Sequence, residues 1–344
     1  MKILNLKDMK ALKTMAIAAA VLTAGIATSC GSKAADASKE AADSTAVAAA
    51  DSLPTVYYIK DITPENIVKI YNALGRPATG RVGVKISTGE SNKSHQLDPA
   101  LIKDFVNLVD GTLIECNTAY AGNRNTTEAH LKAVKEHGYT DIAPVDIMDA
   151  EGEVALPVDS AFHLTKDIVG KDFLNYDFIV VLSHFKGHQM GGFGGALKNI
   201  SIGIASSNGK AYIHSAGKTE NADSIWSNIA EQDAFLESMA DACKGIITHT
   251  GKNILYINVA NNLSVDCDCN GNPAAPKMKD FGILASLDPV ALDRACVDMV
   301  FNSDDPGKDD LIERINSRHG THILTAAEKL GLGSQKYNLV TITE

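Results

Sequence analysis

Apolar positions along this chain alternate between short unbroken runs and helical stripes, a pattern that predicts an α/β fold. Val56 to Ile59 reads as a strand, and Thr63-Pro64-Glu65 then supplies an N-cap, a first-turn proline and an early acid for a helix ending at Gly75. Arg81 to Ser87 is strand-like. Asp98-Pro99 opens a second helix whose Leu101, Ile102, Phe105, Val106 and Val109 share one face. Thr112 to Cys116 is the next strand, followed by a helix from about Asn125 to His137 that stops at Gly138. Asp141 to Met148 reads as a strand, and Glu151 to Lys171 has no clear period. Phe178 to Leu182, an unbroken Phe-Ile-Val-Val-Leu run, suits a central strand buried on both faces.

Farther on, a helix begins near Gly194 or Gly195 and runs through Ile204, and another lies around Asp233 to Cys243. Strands at Ile254 to Val259 and Gly282 to Ser286 precede a helix that starts at Asp288-Pro289 and ends near Phe301. Smaller helices and a strand at Asn338 to Ile342 complete the order. Such alternation implies a mostly parallel sheet with helices on both faces, in one body or in two α/β lobes. Ligands in such sheets gather at the carboxyl ends of strands, so the loops after Ser87, Cys116, Leu182, Val259 and Ser286 are the ones to search.

The first residues stand apart. Lys2, Lys7, Lys10 and Lys13 form a basic start, an uncharged stretch runs from Thr14 to Ser29, and small residues precede Cys30. We expect residues 1–29 to be a signal peptide. Ala27-Thr28-Ser29-Cys30 resembles a bacterial lipobox, with Ala where Leu is usual, so the expected product is an exported lipoprotein anchored at Cys30 on the periplasmic or cell-surface side. Residues 30–52, rich in Ala, Ser, Asp, Lys and Thr, read as a disordered tether. Residues 53–344 are the folded α/β domain.

Charge narrows the partners. The chain carries a formal charge of -10, and residues 1–29 contribute four Lys and one Asp, so their removal leaves -13. An acidic protein of this kind is a poor binder of nucleic acid or of anionic membrane, apart from contact through an N-terminal lipid. Cys116, Cys243, Cys267, Cys269 and Cys296 remain after Cys30, an odd number that argues against a disulfide framework.

The chemistry concentrates in His184 to Asn199. Five glycines within nine residues (Gly187, Gly191, Gly192, Gly194 and Gly195) let a backbone approach a ligand, and the following helix start offers unpaired N–H groups. The loop therefore reads as a cradle for a small anionic molecule or a phosphorylated cofactor. It has neither the GK[ST] ending of a P-loop nor the order of a dinucleotide fingerprint. His184, His188 and Lys186 are the candidate catalytic groups, while Lys198 and Asn199 extend the binding set. Arg124 and Asn117, in the loop after the third strand, suit a carboxylate or phosphate. Cys267-Asp268-Cys269 is either half of a soft-metal site, completed by histidines such as His188 or His214, or a redox-active C-x-C turn. A transition metal, Zn or Fe, is the expected cofactor in the first case.

Gly89-Glu90, the Asn117 to Arg124 stretch, His184 to Asn199, Cys267-Asp268-Cys269 and Asp288-Pro289-Val290-Ala291-Leu292-Asp293 together resemble the family catalogued as domain of unknown function 362. The resemblance spans about Val56 to Leu332. Its members are often labelled iron-sulfur-centre proteins, and many insert a ferredoxin-like module with C-x2-C-x2-C-x3-C-P runs. This chain runs from Lys198 through His214 and Lys218 to Ile225 without a cysteine, so no 4Fe-4S cluster is expected. One loop also resembles the nickel-pincer lactate racemases, with His188, Gly191 to Gly195, Lys198 and His214 at matching places. That resemblance implies proton transfer by His188 and cofactor attachment at Lys198. Three functions follow: an exported enzyme using histidine acid/base chemistry on a small anion, a non-catalytic metal- or ligand-binding lipoprotein, and a redox partner without a cubane cluster.

Overall fold

Two apolar cores on opposite faces of one sheet organise the protein, whose computed structural model describes residues 53–343. The first half runs β1 (Thr55–Ile59), α1 (Pro64–Ala73), β2 (Val82–Lys85), α2 (Pro99–Leu108), β3 (Gly111–Glu115), α3 (Thr127–Glu136) and β4 (Val145–Ile147). A hairpin of β5 (Glu153–Pro157) and β6 (Lys166–Gly170) leads to the central strand β7 (Phe178–His184). A small hairpin, β8 (Lys186–His188) and β9 (Gly192–Gly194), then enters α4 (Ala196–Ile204) and α5 (Ser207–His214). The chain continues through α6 (Gln232–Thr250), β10 (Ile254–Ala260), β11 (Gly282–Ser286) and α7 (Pro289–Phe301). It closes with α8 (Lys308–Ser317), α9 (His322–Lys329) and β12 (Asn338–Thr341).

The eight-stranded sheet has the order β12-β1-β11-β10-β7-β2-β3-β4. Every neighbouring pair is parallel except those made by β11, which runs antiparallel to both β10 and β1. β11 is reversed because residues 261–281 contain no crossover helix, so the chain turns back beside β10. A mostly parallel α/β sheet was the sequence expectation, and the described chain forms it as one sheet rather than two lobes.

Alternation within β7 builds both cores. Ile179 and Val181 face the core containing α4, α6 and α7, while Val180 and Leu182 face the core of α1, α2 and Val134 of α3. Helix starts follow the local signals: Thr63, Asp98 and Asp288 each accept a backbone N–H through their side chains just before a first-turn proline.

Departures are local. Of Asp141 to Met148 only Val145–Ile147 is strand, after a 3-10 turn over Tyr139–Asp141, since Pro144 has no N–H to give the ladder. Helix α6 runs on to Thr250, well past Cys243, burying Ile246. The unassigned Glu151–Lys171 region holds the β5–β6 hairpin, and α5 begins where the Ser206 hydroxyl accepts the Gly209 N–H. No helix among the described residues is long and apolar enough to cross a membrane. The expected signal peptide, lipobox and tether lie outside the described residues.

Candidate active site

The carboxyl ends of β2 and β3 open into a cavity of about 460 Å³, closed from the sides by α4, α5 and the loop after β7. Its wall is cationic. Lys85 ends β2, Lys198 projects from α4, Lys210 from α5 and Arg124 from the loop after β3, against one lining carboxylate, Glu115. In an acidic chain this is a local reversal of sign, and a low-dielectric cleft concentrates it.

Three of the four cations are committed. Arg124 donates from Nε to Glu90 at 3.0 Å and from Nη1 to Glu115 at 2.7 Å. Lys85 donates to the Ile86 carbonyl and, at 3.0 Å, to Oδ1 of Asn199. Lys210 donates to the Ala205 carbonyl at 2.5 Å. Lys198 has no ion-pair or hydrogen-bond partner among the described residues. Burial, with Lys186, Lys85 and Arg124 as like charges, lowers its pKa to about 7. Burial also lowers Lys85 to about 8, although Glu115 pulls the other way.

Two histidines in the wall hold opposite tautomers. Nδ1 of His188 accepts the Gly191 N–H at 2.8 Å, which leaves the proton of the neutral ring on Nε2. Burial, then Lys198 and His214, holds this ring well below the usual histidine range, in keeping with a neutral imidazole. Nδ1 of His214 instead donates to the Lys210 carbonyl at 2.7 Å, so its Nε2 keeps a lone pair. The His214 ring stacks on Phe235 at 4.7 Å, and burial lowers its pKa to about 4.

That depression makes stability acid-sensitive. The unfolded chain takes up a proton near pH 6.5 that folded His214 refuses until about 4, so the stabilisation is full above 6.5 and lost as pH falls toward 4. The loss amounts to about 3 kcal/mol at most. Thermal melts at pH 7.5 and 4.5 are expected to differ less in His214→Gln than in wild type; an equal difference would contradict the assignment.

The glycine-rich loop leads into α4, whose start has a partner within the chain. The first N–H groups of α4 are occupied by the protein itself: Ala196 and Leu197 donate to Asp293 of α7 at 2.8 and 2.9 Å. A Cβ on Gly195 would collide with that carboxylate, so glycine is needed there to admit Asp293. Gly192 has φ of +81° and packs against Gly320. Gly191, Gly192, Gly194 and Gly195 all lie outside the cavity wall.

His184 and Lys186 are likewise turned away from the cavity, toward Asp268. The His184 ring contacts Asp268 at 3.0 Å and the Asn261 carbonyl at 2.6 Å, leaving neither nitrogen over for proton transfer. Lys186 donates to Asp268 at 2.6 Å and to the His184 carbonyl at 3.0 Å. Burial opposes ionisation of Asp268, but Lys186 and His184 outweigh it and hold the carboxyl well below its usual range. Asn117 is outside the wall too, bonded to Thr127 and His130. The structure thus brings together His188, Lys198, Asn199, Arg124, His214 and Cys269, and adds Lys85, Glu115, Lys210 and Trp226. Lys85 and Glu115 were findable as charged last residues of apolar strands. Lys210 and His214 are four apart on one short helix, and Trp226 is the chain's single tryptophan.

His188, Cys267 and Cys269 bring a nitrogen and two sulfurs within 4.8 Å of one another, a group that could hold a metal ion. Cys267 and Cys269 are joined as a disulfide, however, and a bonded sulfur is not a thiolate ligand. His188 also presents Nε2–H rather than a lone pair, the reverse of a ligating histidine. A metal on these donors therefore requires the reduced pair and the other tautomer of His188.

An α/β fold with a cation-lined cavity at the sheet's carboxyl edge defines the class of protein. The chain belongs to the family described as Domain of unknown function (DUF362), whose model matches residues 82–298. No curated protein matches it. Among solved structures, it is similar to the lactate racemase apoprotein from Thermoanaerobacterium thermosaccharolyticum, at 19% identity and a TM-score of 0.35, over 61% of this chain and 50% of that one. A protein from Thermotoga maritima is similar at 14% identity and a TM-score of 0.42, over 70% of this chain and 60% of that one. This chain therefore spans less than two thirds of the length of either.

Proposed function

We propose that the protein is an enzyme that binds a small organic anion in this cavity and moves a proton on it. Lys198 is the base and His188 donates a hydrogen bond from Nε2 to the substrate oxygen that gains charge. The observation that carries this reading is the uncommitted Lys198 amine, lowered to about 7 inside a cationic wall. A base with a pKa near the working pH is best placed for proton transfer. A neutral imidazole held as an N–H donor polarises a carbonyl without adding charge. The remaining cations, Lys85, Lys210 and Arg124, supply the field that draws in a carboxylate or phosphate. The cavity volume of about 460 Å³ suits a small molecule rather than a polymer.

The test works whichever product forms. Incubated in D2O with 2-oxo, 2-hydroxy and 2-amino carboxylates, the protein is expected to exchange a carbon-bound proton of at least one, at C3 of a 2-oxo acid or at C2 of the other two, as followed by NMR. Anions that quench Trp226 with no exchange in any of them would overturn the proton-transfer reading and leave an anion-binding site.

A second reading, a metal ion on His188, Cys267 and Cys269, is favoured by the closeness of those three donors. Zn or Fe suits such a set. Elemental analysis of reduced protein, with loss of the metal in Cys267→Ser, would support it. The proposal also includes export and anchoring through Cys30. Cys30→Ala is expected to move the protein from the membrane fraction to the soluble one.

A further inference from the structure

The C-D-C turn is fastened from both sides. Asp268, between the cysteines, binds His184 and Lys186, while its carbonyl accepts the Glu90 N–H at 2.8 Å. The Asn270 N–H closes the turn on the Cys267 carbonyl at 2.9 Å. This clamp presents the two sulfurs unequally. Cys267 is buried, whereas Cys269 is half-buried and lines the cavity. Sγ of Cys269 lies 4.0 Å from Nε2 of His188, the nitrogen that carries the ring proton.

A nucleophile reaching this disulfide through the cavity meets Cys269, must be small, and passes Lys198, Lys210 and Arg124. The nucleophile that exchanges with a disulfide is a thiolate. We propose that Cys267–Cys269 is an exchange-active redox pair whose partner is a small acidic thiol carrying a carboxylate. This rests on the reading of the cavity as an anion site. The thiolate attacks Sγ of Cys269, the S–S bond breaks, and Cys267 leaves as a thiolate that takes a proton from solvent. A second thiolate attacks the external sulfur of the mixed disulfide, releasing the external disulfide and the Cys269 thiolate. The Nε2–H of His188 stabilises that thiolate until it is protonated. Two external thiols lose two electrons and two protons, and the pair gains them; an external disulfide of the same class reverses the process. His184 and Lys186 are positioning residues here, acting through Asp268.

The experiment follows reduction of the protein, isolated in air, by mercaptoacetate (anionic), 2-mercaptoethanol (neutral) and cysteamine (cationic) at equal thiolate concentration, with alkylation and mass spectrometry. Neither cysteine of the pair is expected to alkylate before reduction, and both after it. At low salt mercaptoacetate is expected to react about tenfold or more faster than cysteamine. High salt and Lys198→Glu should remove that preference. In Cys267→Ser, oxidised mercaptoacetate should leave a mixed disulfide on Cys269. Asp268→Asn and Lys186→Met should shift the equilibrium constant of the pair with a thiol couple while leaving quenching of Trp226 by sulfate unchanged. The proposal is overturned by alkylation of both cysteines without reduction, by exchange without charge preference, or by an adduct forming equally on Cys267 in Cys269→Ser. Sulfate quenching in the Cys267→Ser/Cys269→Ser double variant reads the anion site alone. Quenching there together with failed exchange in wild type sinks the thiol proposal and leaves the anion site standing.

Discussion

Lys198→Met is expected to lower the proton-exchange rate by about 10²–10⁴-fold, the usual worth of a general base, without a loss of thermal stability. The stability half follows because Lys198 holds no partner among the described residues and sits among Lys85, Lys186 and Arg124, so removing its charge relieves repulsion. Lys198→Arg separates base from anion anchor. A guanidinium keeps the charge but stays protonated, so anions should still quench Trp226, which is 61% exposed at the cavity wall, while exchange is lost. The wild-type rate should rise with pH through about 7, where Lys198 gives up its proton, and then level. If exchange survived in both variants, Lys198 would not be the base. The base would then be another group of the wall, such as His214, whose Nε2 keeps its lone pair.

Asp293→Ala carries the largest expected cost in stability. The carboxylate is fully buried and accepts from Ala196 N–H, Leu197 N–H and, at 2.8 Å, the Asn258 amide, tying α7 to the start of α4 and to β10. Three buried donors lose their acceptor together, a loss of about 3 kcal/mol or more. In a domain of this size that corresponds to a fall in Tm of roughly 6 °C or more. Asn at this position keeps one acceptor oxygen and should fall between.

Asp293 also has a pH signature of its own. Burial raises its pKa to about 6 despite the Leu197, Asn258 and Ala196 bonds. The folded state therefore holds a proton that the unfolded chain releases near 4, and stability contributed by the neutral form is lost as pH rises from about 4 to 6. This slope opposes that of His214 in the same window. Asp293→Asn should remove it, so that stability gained on raising pH from 4 to 6 is larger in the variant than in wild type. An identical pH profile would show that Asp293 is ionised throughout.

The sequence made the scaffold readable because its signals are local. Phe178 to Leu182 announced the central strand, and the Thr63-Pro64, Asp98-Pro99 and Asp288-Pro289 pairs marked helix starts within a residue. What fills the helix start after the glycine-rich loop was not readable, because it is supplied by Asp293, about a hundred residues later. His184 and Lys186 look like free chemistry in the sequence; Asp268, from a different loop, occupies both. Conversely, the tautomers of His188 and His214 are set by a backbone N–H and a backbone carbonyl, which no pattern of residue types encodes. The sequence reading assigned proton transfer to His188 and binding to Lys198. The proposed function reverses that division.

The most direct measurement of the central claim is the titration of Lys198 in the intact protein, by NMR of ¹³C-dimethylated lysines assigned with Lys198→Arg. An apparent pKa near 7, rising when an anion such as sulfate occupies the cavity, is the expected result. A value near the ordinary lysine pKa of about 10.4, unmoved by anions, would contradict it.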